Sequence, residues 1–149
     1  MDENISKGLR TTFLVHMIFA AIFGITLFLI PGRTLTLLGW VPEMIQIPQT
    51  ELSAPGTIFV DPVISRVLGA ALLGLAFSSF QGWRAQKWGE VALLVELEFV
   101  FCTLGVIAFL GGWYHMNRAM PLIGWVIMVI LMSFALIWGF SWQRRQAMK

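Results

Sequence analysis

The sequence predicts an all-α fold, an integral membrane four-helix transmembrane bundle with one long outer loop, and three observations predict it. Only 12% of the 149 residues are charged and 58% are hydrophobic, against roughly 25% charged in an ordinary soluble domain. The apolar residues come in four long blocks rather than in short periodic patches. The cations gather at the ends of those blocks, most of them on one side of the implied bilayer.

A hydrocarbon core of about 30 Å is crossed by about 20 consecutive, mostly apolar helical residues. Blocks of that kind lie at about 11–30, 62–82, 90–110 and 119–142, and together they make one transmembrane domain over 1–149. Pro31-Gly32 is expected to stop the first helix. Asp61-Pro62 supplies a capping carboxylate and a proline at the first helical position of the second. Gly111-Gly112 is expected to end the third, and Asn117 to cap a fourth that holds Pro121 in its opening turn. The first block follows Lys7 and Arg10 as a secretory signal would. Its apolar run exceeds the roughly 7 to 15 residues of a signal, and Ile30-Pro31-Gly32-Arg33 offers no small-x-small cleavage pattern, so it is expected to remain as a span.

The outer loop, 32–61, is too apolar for a freely mobile connector. Leu35, Leu37, Leu38, Trp40, Met44 and Ile45 suggest a short helix in the interface. Thr57-Ile58-Phe59-Val60 suggests extended chain, and Pro42, Pro48 and Pro55 forbid one long helix. The loop is expected to be a connector packed on the helix ends, with a lid or docking surface as the functional alternative.

Short loops rich in Lys and Arg stay in the cytoplasm. Lys7 and Arg10 precede the first span, Arg84 and Lys87 join the second to the third, and Arg144, Arg145 and Lys149 follow the fourth. Only Arg33 and Arg118 lie opposite, with Arg66 just inside the second span. Both termini are therefore expected on the cytoplasmic side of a plasma (inner) membrane. Trp40 and Trp113 at one boundary, and Trp83, Trp88 and Trp142 at the other, fit aromatic belts, while Trp125 and Trp138 read as packing residues.

Ionisable side chains within a span cost roughly 2.5 to 3.5 kcal/mol each on insertion scales and are seldom retained without a partner or a task. The candidates are His16, Arg66, Glu96 and Glu98, with Ser78 beside them. Small residues repeating every four positions mark faces where helices approach closely. The series Arg66, Ala70, Gly74, Ser78 predicts that Arg66 points to a neighbouring helix, and His16, Ala20, Gly24 places His16 inside. Glu98 falls with Cys102 and Gly105 on an inward face. Glu96, two residues earlier, is about 160° away in projection. The two carboxylates are thus not a general acid and base flanking one bond. Instead, Glu96 meets another helix, another subunit or the interface. With a rise of 1.5 Å per residue, His16, Ser78 and the glutamates fall roughly 3 to 9 Å to one side of mid-membrane, a depth that allows a hydrogen-bonded polar layer. Either His16 or Arg66 is open as the partner of Glu98.

No Walker loop, zinc-protease helix, dinucleotide fingerprint or nucleophile elbow is present. His16 and His115 lie near opposite faces and cannot share one haem iron, and Cys102 is the only cysteine, so neither metal site nor cofactor is expected. The net charge of +2 and pI near 9.1 do not indicate nucleic acid, because the ten Lys and Arg are scattered at segment ends.

Two stretches carry a family resemblance. They are Arg66-Val67-Leu68-Gly69-Ala70-Ala71-Leu72-Leu73-Gly74, and Leu29-Ile30-Pro31-Gly32 followed by Leu37-Leu38-Gly39-Trp40. With these, the chain resembles small prokaryotic four-helix membrane proteins and, more distantly, the DoxX-type proteins, some of which are subunits of quinone-linked oxidoreductases. The likeness spans the first two helices and part of the third. It implies a position for Arg66 and carries no activity with it. Together the residues predict a noncatalytic membrane protein whose partners are the lipid bilayer and either further copies of itself or other membrane subunits. The alternative is a binding or transport protein holding an apolar ligand such as a quinone or lipid, with Glu98, His16 or Arg66 at the polar end of its pocket.

Overall fold

In the computed structural model, residues 4–115 and 120–146 are described, the side chain of Phe59 excepted. Four long apolar helices dominate: α1 (Lys7–Leu29), α3 (Pro62–Arg84), α4 (Trp88–His115) and α5 (Leu122–Gln146). Each is long and apolar enough to cross a membrane. A short helix α2 (Pro31–Leu37), a two-stranded hairpin β1 (Met44–Gln46) and β2 (Ser53–Pro55), and a 3-10 turn (Gly56–Phe59) fill the loop between α1 and α3.

The helices run past the apolar blocks because caps, not hydropathy, set their ends. Ser6 accepts from the Leu9 amide at 3.1 Å and starts α1 a turn before the apolar run. At α3, Asp61 accepts from the amides of Val63 and Ile64 at 2.8 and 3.1 Å with Pro62 in the first turn, as expected. Two expected boundaries need correction. Gly111 and Gly112 do not end α4, which continues to His115. A helical glycine costs only about 1 kcal/mol relative to alanine, less than leaving backbone groups unbonded in hydrocarbon. Further, α5 begins at Leu122, so Pro121 precedes the helix rather than sitting in its opening turn. Asn117 and Arg118 lie outside the described residues.

The loop also departs from expectation. Pro31 does stop α1, but it then opens α2, because proline is tolerated where no helical amide bond is needed. The expected interfacial helix over 35–45 is thereby moved to Pro31–Leu37. Gly39, at φ 72°, lets the Trp40 amide bond back to the Leu35 carbonyl at 2.9 Å and closes α2. Thr34, buried, donates to the Thr26 and Ile30 carbonyls and ties α2 to α1. The hairpin pairs Met44 with Pro55 and Gln46 with Ser53. The segment at Thr57 is a 3-10 turn, not a strand. Its first residue, Gly56, lies so close to the Pro42 carbonyl that a Cβ would collide with it, and that contact outweighs the β-propensity of the residues that follow. Trp40 packs on Phe109 at 6.0 Å and against Gly124, so this part of the loop rests on the ends of α4 and α5.

The bundle consists of two closely packed pairs, α1 with α3 and α4 with α5, that touch each other far less. Between α1 and α3 the backbones nearly meet. A Cβ on Gly69 would lie 2.6 Å from the Phe28 nitrogen and 2.9 Å from the Gly24 carbonyl oxygen. Small residues permit such an approach, which gains dispersion contact where lipid provides no hydrophobic drive. The core joining the two pairs lies toward the end where α1 begins and α5 finishes. It contains Leu9, Phe13, Val91, Val95, Phe134 and Trp138, with Phe13 and Trp138 at 4.7 Å. Beyond Cys102 no described residue of α4 is buried.

Candidate functional site

One polar cluster crosses that core. Glu98 of α4 accepts at Oε1 from Ser78 Oγ at 2.7 Å and from Ser79 Oγ at 2.9 Å, both on α3. Its Oε2 lies 3.3 Å from His16 Nδ1 on α1. His16 Nδ1 is 2.8 Å from Ser79 Oγ. A hydroxyl has one proton. With Ser79 donating to Glu98, its oxygen accepts from His16, which places a proton on Nδ1. The imidazole stands edge-on to Phe134 and Trp138, at 4.8 and 6.2 Å. Thus four side chains from three helices meet, and two aromatic rings of the fourth close over them.

Glu98 and Ser79 have 0% accessible surface and His16 has 5%. A water-sized void beside Glu98 would give it accessible area, so the carboxyl is packed on every side. Glu98 Oε2 and the Trp138 indole nitrogen have no hydrogen-bond partner among the described residues. One further proton, on either the imidazole or the carboxyl, makes the cluster net neutral, the form that hydrocarbon tolerates at least cost.

Serine, histidine and a carboxylate are also the components of a nucleophilic triad, but their order here is different. In a triad the imidazole bonds the nucleophile through one nitrogen and the acid through the other. In this cluster Nδ1 faces both, and the serine gives its proton to the carboxylate. No hydroxyl is left for activation, and no substrate atom can reach it.

The structure brings together His16, Ser78 and Glu98 of the residues expected from sequence and adds Ser79. It does not bring Arg66 to them. Arg66 is exposed, with no ion-pair partner among the described residues, so the partner of Glu98 is His16. The correction is one of helix rotation. The buried positions of α3 are Gly69, Leu75, Ala76, Ser79 and Gly82, whereas Arg66, Ala70 and Gly74 face outward and Ser78 sits at the margin. Small residues occupy both faces, and the i, i+4 series from Arg66 selects the outer one. The doublet Ser78-Ser79 carried the missing signal, since one of two adjacent serines on a span can turn inward.

Glu96 is exposed and accepts from the Trp142 indole nitrogen of α5 at 3.1 Å. The two glutamates therefore face apart, as their spacing requires. Among the described residues, no group of three His, Cys, Asp or Glu is placed to hold a metal ion. An apolar groove of about 300 Å³, with Phe99, Thr103, Ile107, Met132 and Leu136 in its wall, lies between α4 and α5 and does not include Glu98.

Four spans and a buried polar tie define the class: the chain is a multi-pass integral membrane protein built as an all-α bundle. No protein-family model, no curated protein and no solved structure matches the chain.

Proposed function

We propose that this is a noncatalytic protein of a plasma (inner) membrane with both termini cytoplasmic, acting as an accessory subunit of a larger assembly or as a small homo-oligomer. The observation that carries this reading is the closed state of Glu98. The one fully buried carboxylate among the described residues is spent on joining the two helix pairs and is out of reach of any ligand. Lateral association has separate support on α3. Ala70 and Gly74 face outward beside Arg66, and a Cβ on Gly74 would meet nothing within 4 Å. Such a surface admits close approach of another helix. The distant likeness to DoxX-type subunits is in keeping with this role.

The test is extraction in gentle detergent followed by native mass spectrometry, with Gly74→Cys cross-linking in a Cys102→Ser background. Multiple copies or companion chains are expected, together with a Gly74→Cys adduct. A strictly monomeric particle without adduct would refute the reading.

A second reading, a binding or transport protein for an apolar ligand such as a lipid or quinone, draws on the groove between α4 and α5. In that case the ligand's polar end would meet Thr103 rather than Glu98. Copurified ligand that is lost in Met132→Trp and kept in Glu98→Gln would favour it.

A further inference from the structure

At the end of the bundle opposite the hairpin, contacts between distant parts of the chain gather four cations. Asn4 pairs with Lys87 as an antiparallel bridge, and the Ile5 amide bonds to the Gln86 carbonyl at 3.0 Å. One turn along α1, Arg10 Nε donates to the Trp83 carbonyl at 3.1 Å. Lys7 and Arg10 of α1 are thus held beside Arg84 and Lys87 at the close of α3. All four are exposed, and no carboxylate among the described residues pairs with any of them. The nearest acid in sequence, Glu90, is already engaged, its Oε2 accepting from the Gln86 and Lys87 amides at 3.0 and 3.5 Å. Asp2 and Glu3 lie outside the described residues.

What lies beneath these cations gives the surface its second half. Phe77, Phe80 and Arg84 recur at the three- and four-residue spacing that aligns side chains on one helix face. The Arg84 guanidinium carbon stands 5.5 Å over the Phe80 ring, Trp83 packs on Phe80 at 6.1 Å, and Phe77 is 62% exposed toward hydrocarbon. Trp83, 37% exposed, adds an indole at the level where such rings prefer the interface. Cations with no carboxylate partner among the described residues, above an exposed aromatic strip, match an amphiphile with an anionic head and apolar tails.

We infer that Lys7, Arg84 and Lys87, with the free end of Arg10, form a binding surface for an anionic phospholipid whose acyl chains lie along Phe77 and Phe80. The headgroup phosphate meets ammonium and guanidinium donors, and guanidinium can engage it through two parallel bonds. The inference requires only that the chain spans a bilayer. It stands whether or not the protein works as a subunit.

The test uses the full chain in mixed micelles carrying equal amounts of dioleoylphosphatidylglycerol and dioleoylphosphatidylcholine, with retained lipids counted by native mass spectrometry. Phosphatidylglycerol should be retained in preference. Each cation near an anionic surface contributes roughly fivefold to association, so the triple variant Lys7→Gln, Arg84→Gln, Lys87→Gln should lose about two orders of magnitude. Arg33→Gln, at the hairpin end, should leave the preference unchanged. For the unaltered chain, raising salt from about 0.1 M to 1 M shortens screening from about 10 Å to 3 Å and should abolish the preference. Equal retention of the two lipids, a preference that survives high salt, or a helical triple variant that keeps it would each overturn the inference.

Discussion

Removing the Glu98 carboxyl tests what holds the two helix pairs together. Glu98→Ala deletes three polar contacts, at 2.7, 2.9 and 3.3 Å. Interhelical hydrogen bonds in membranes average about 0.6 kcal/mol, so the two accepted by Oε1 supply about 1 kcal/mol. Truncation also opens a void of about 50 Å³, which at about 24 cal/mol per Å³ adds about 1 kcal/mol. Ser78 can return its proton to the Leu75 carbonyl, 3.1 Å away. The loss therefore falls on Ser79 and His16. The expected total is about 2 kcal/mol, or about thirtyfold in the unfolding equilibrium. It is measured by titrating the protein in mixed micelles with denaturing detergent and following tryptophan fluorescence and the far-UV signal. A double-mutant cycle with His16→Ala separates the tie from the void, and coupling of about 0.5 to 3 kcal/mol is expected for contacting groups. Coupling near zero, or a Glu98→Ala protein as stable as the original, would show that the cluster is not what joins the pairs. Replacing His16, Ser79 and Glu98 together by apolar residues of similar volume should recover much of the loss, because no partner is then left stranded.

Further outcomes follow from the packing. Gly69→Leu should cost about 1 to 3 kcal/mol by forcing α1 from α3, whereas Gly74→Leu, facing open space, should change monomer stability by no more than about 0.5 kcal/mol; the same detergent titration reads both. Cys102, the only thiol and fully buried, should resist maleimide in the folded protein and react fully in denaturing detergent, and rapid labelling of the folded chain would contradict the core. Trp142→Phe removes one exposed bond to Glu96 and should cost less than about 1 kcal/mol. Gln49→Cys, at the hairpin tip, in a Cys102→Ser background should react with an impermeant thiol reagent added outside intact cells, and failure to do so would reverse the proposed orientation.

The spans were legible because their signal is summed over some twenty residues each, and a bilayer leaves helices few alternatives. The inward placement of His16 and Glu98 was legible too, since on α1 the small residues Ala20 and Gly24 lie on the same side as the histidine. On α3 that logic failed. Glycine, alanine and serine line both faces, so composition does not distinguish the face toward α1 from the face toward lipid, and the series from Arg66 points to the wrong one. The hairpin has no legible signal for another reason. Its register rests on three residue pairs, and Gly56 is required by the approach of Pro42, a contact that no local window of sequence contains.

The division into two pairs has a consequence for synthesis. The first pair, α1 and α3, carries His16, Ser78 and Ser79; the second brings Glu98. As the chain emerges, the three partners are made before the carboxylate, which enters the bilayer later on α4 with nothing of its own hairpin to bond it. Docking of the second hairpin on the first is the event that satisfies it. An incompletely assembled chain therefore leaves an orphan acid facing lipid, and assembly of the two pairs is what removes it.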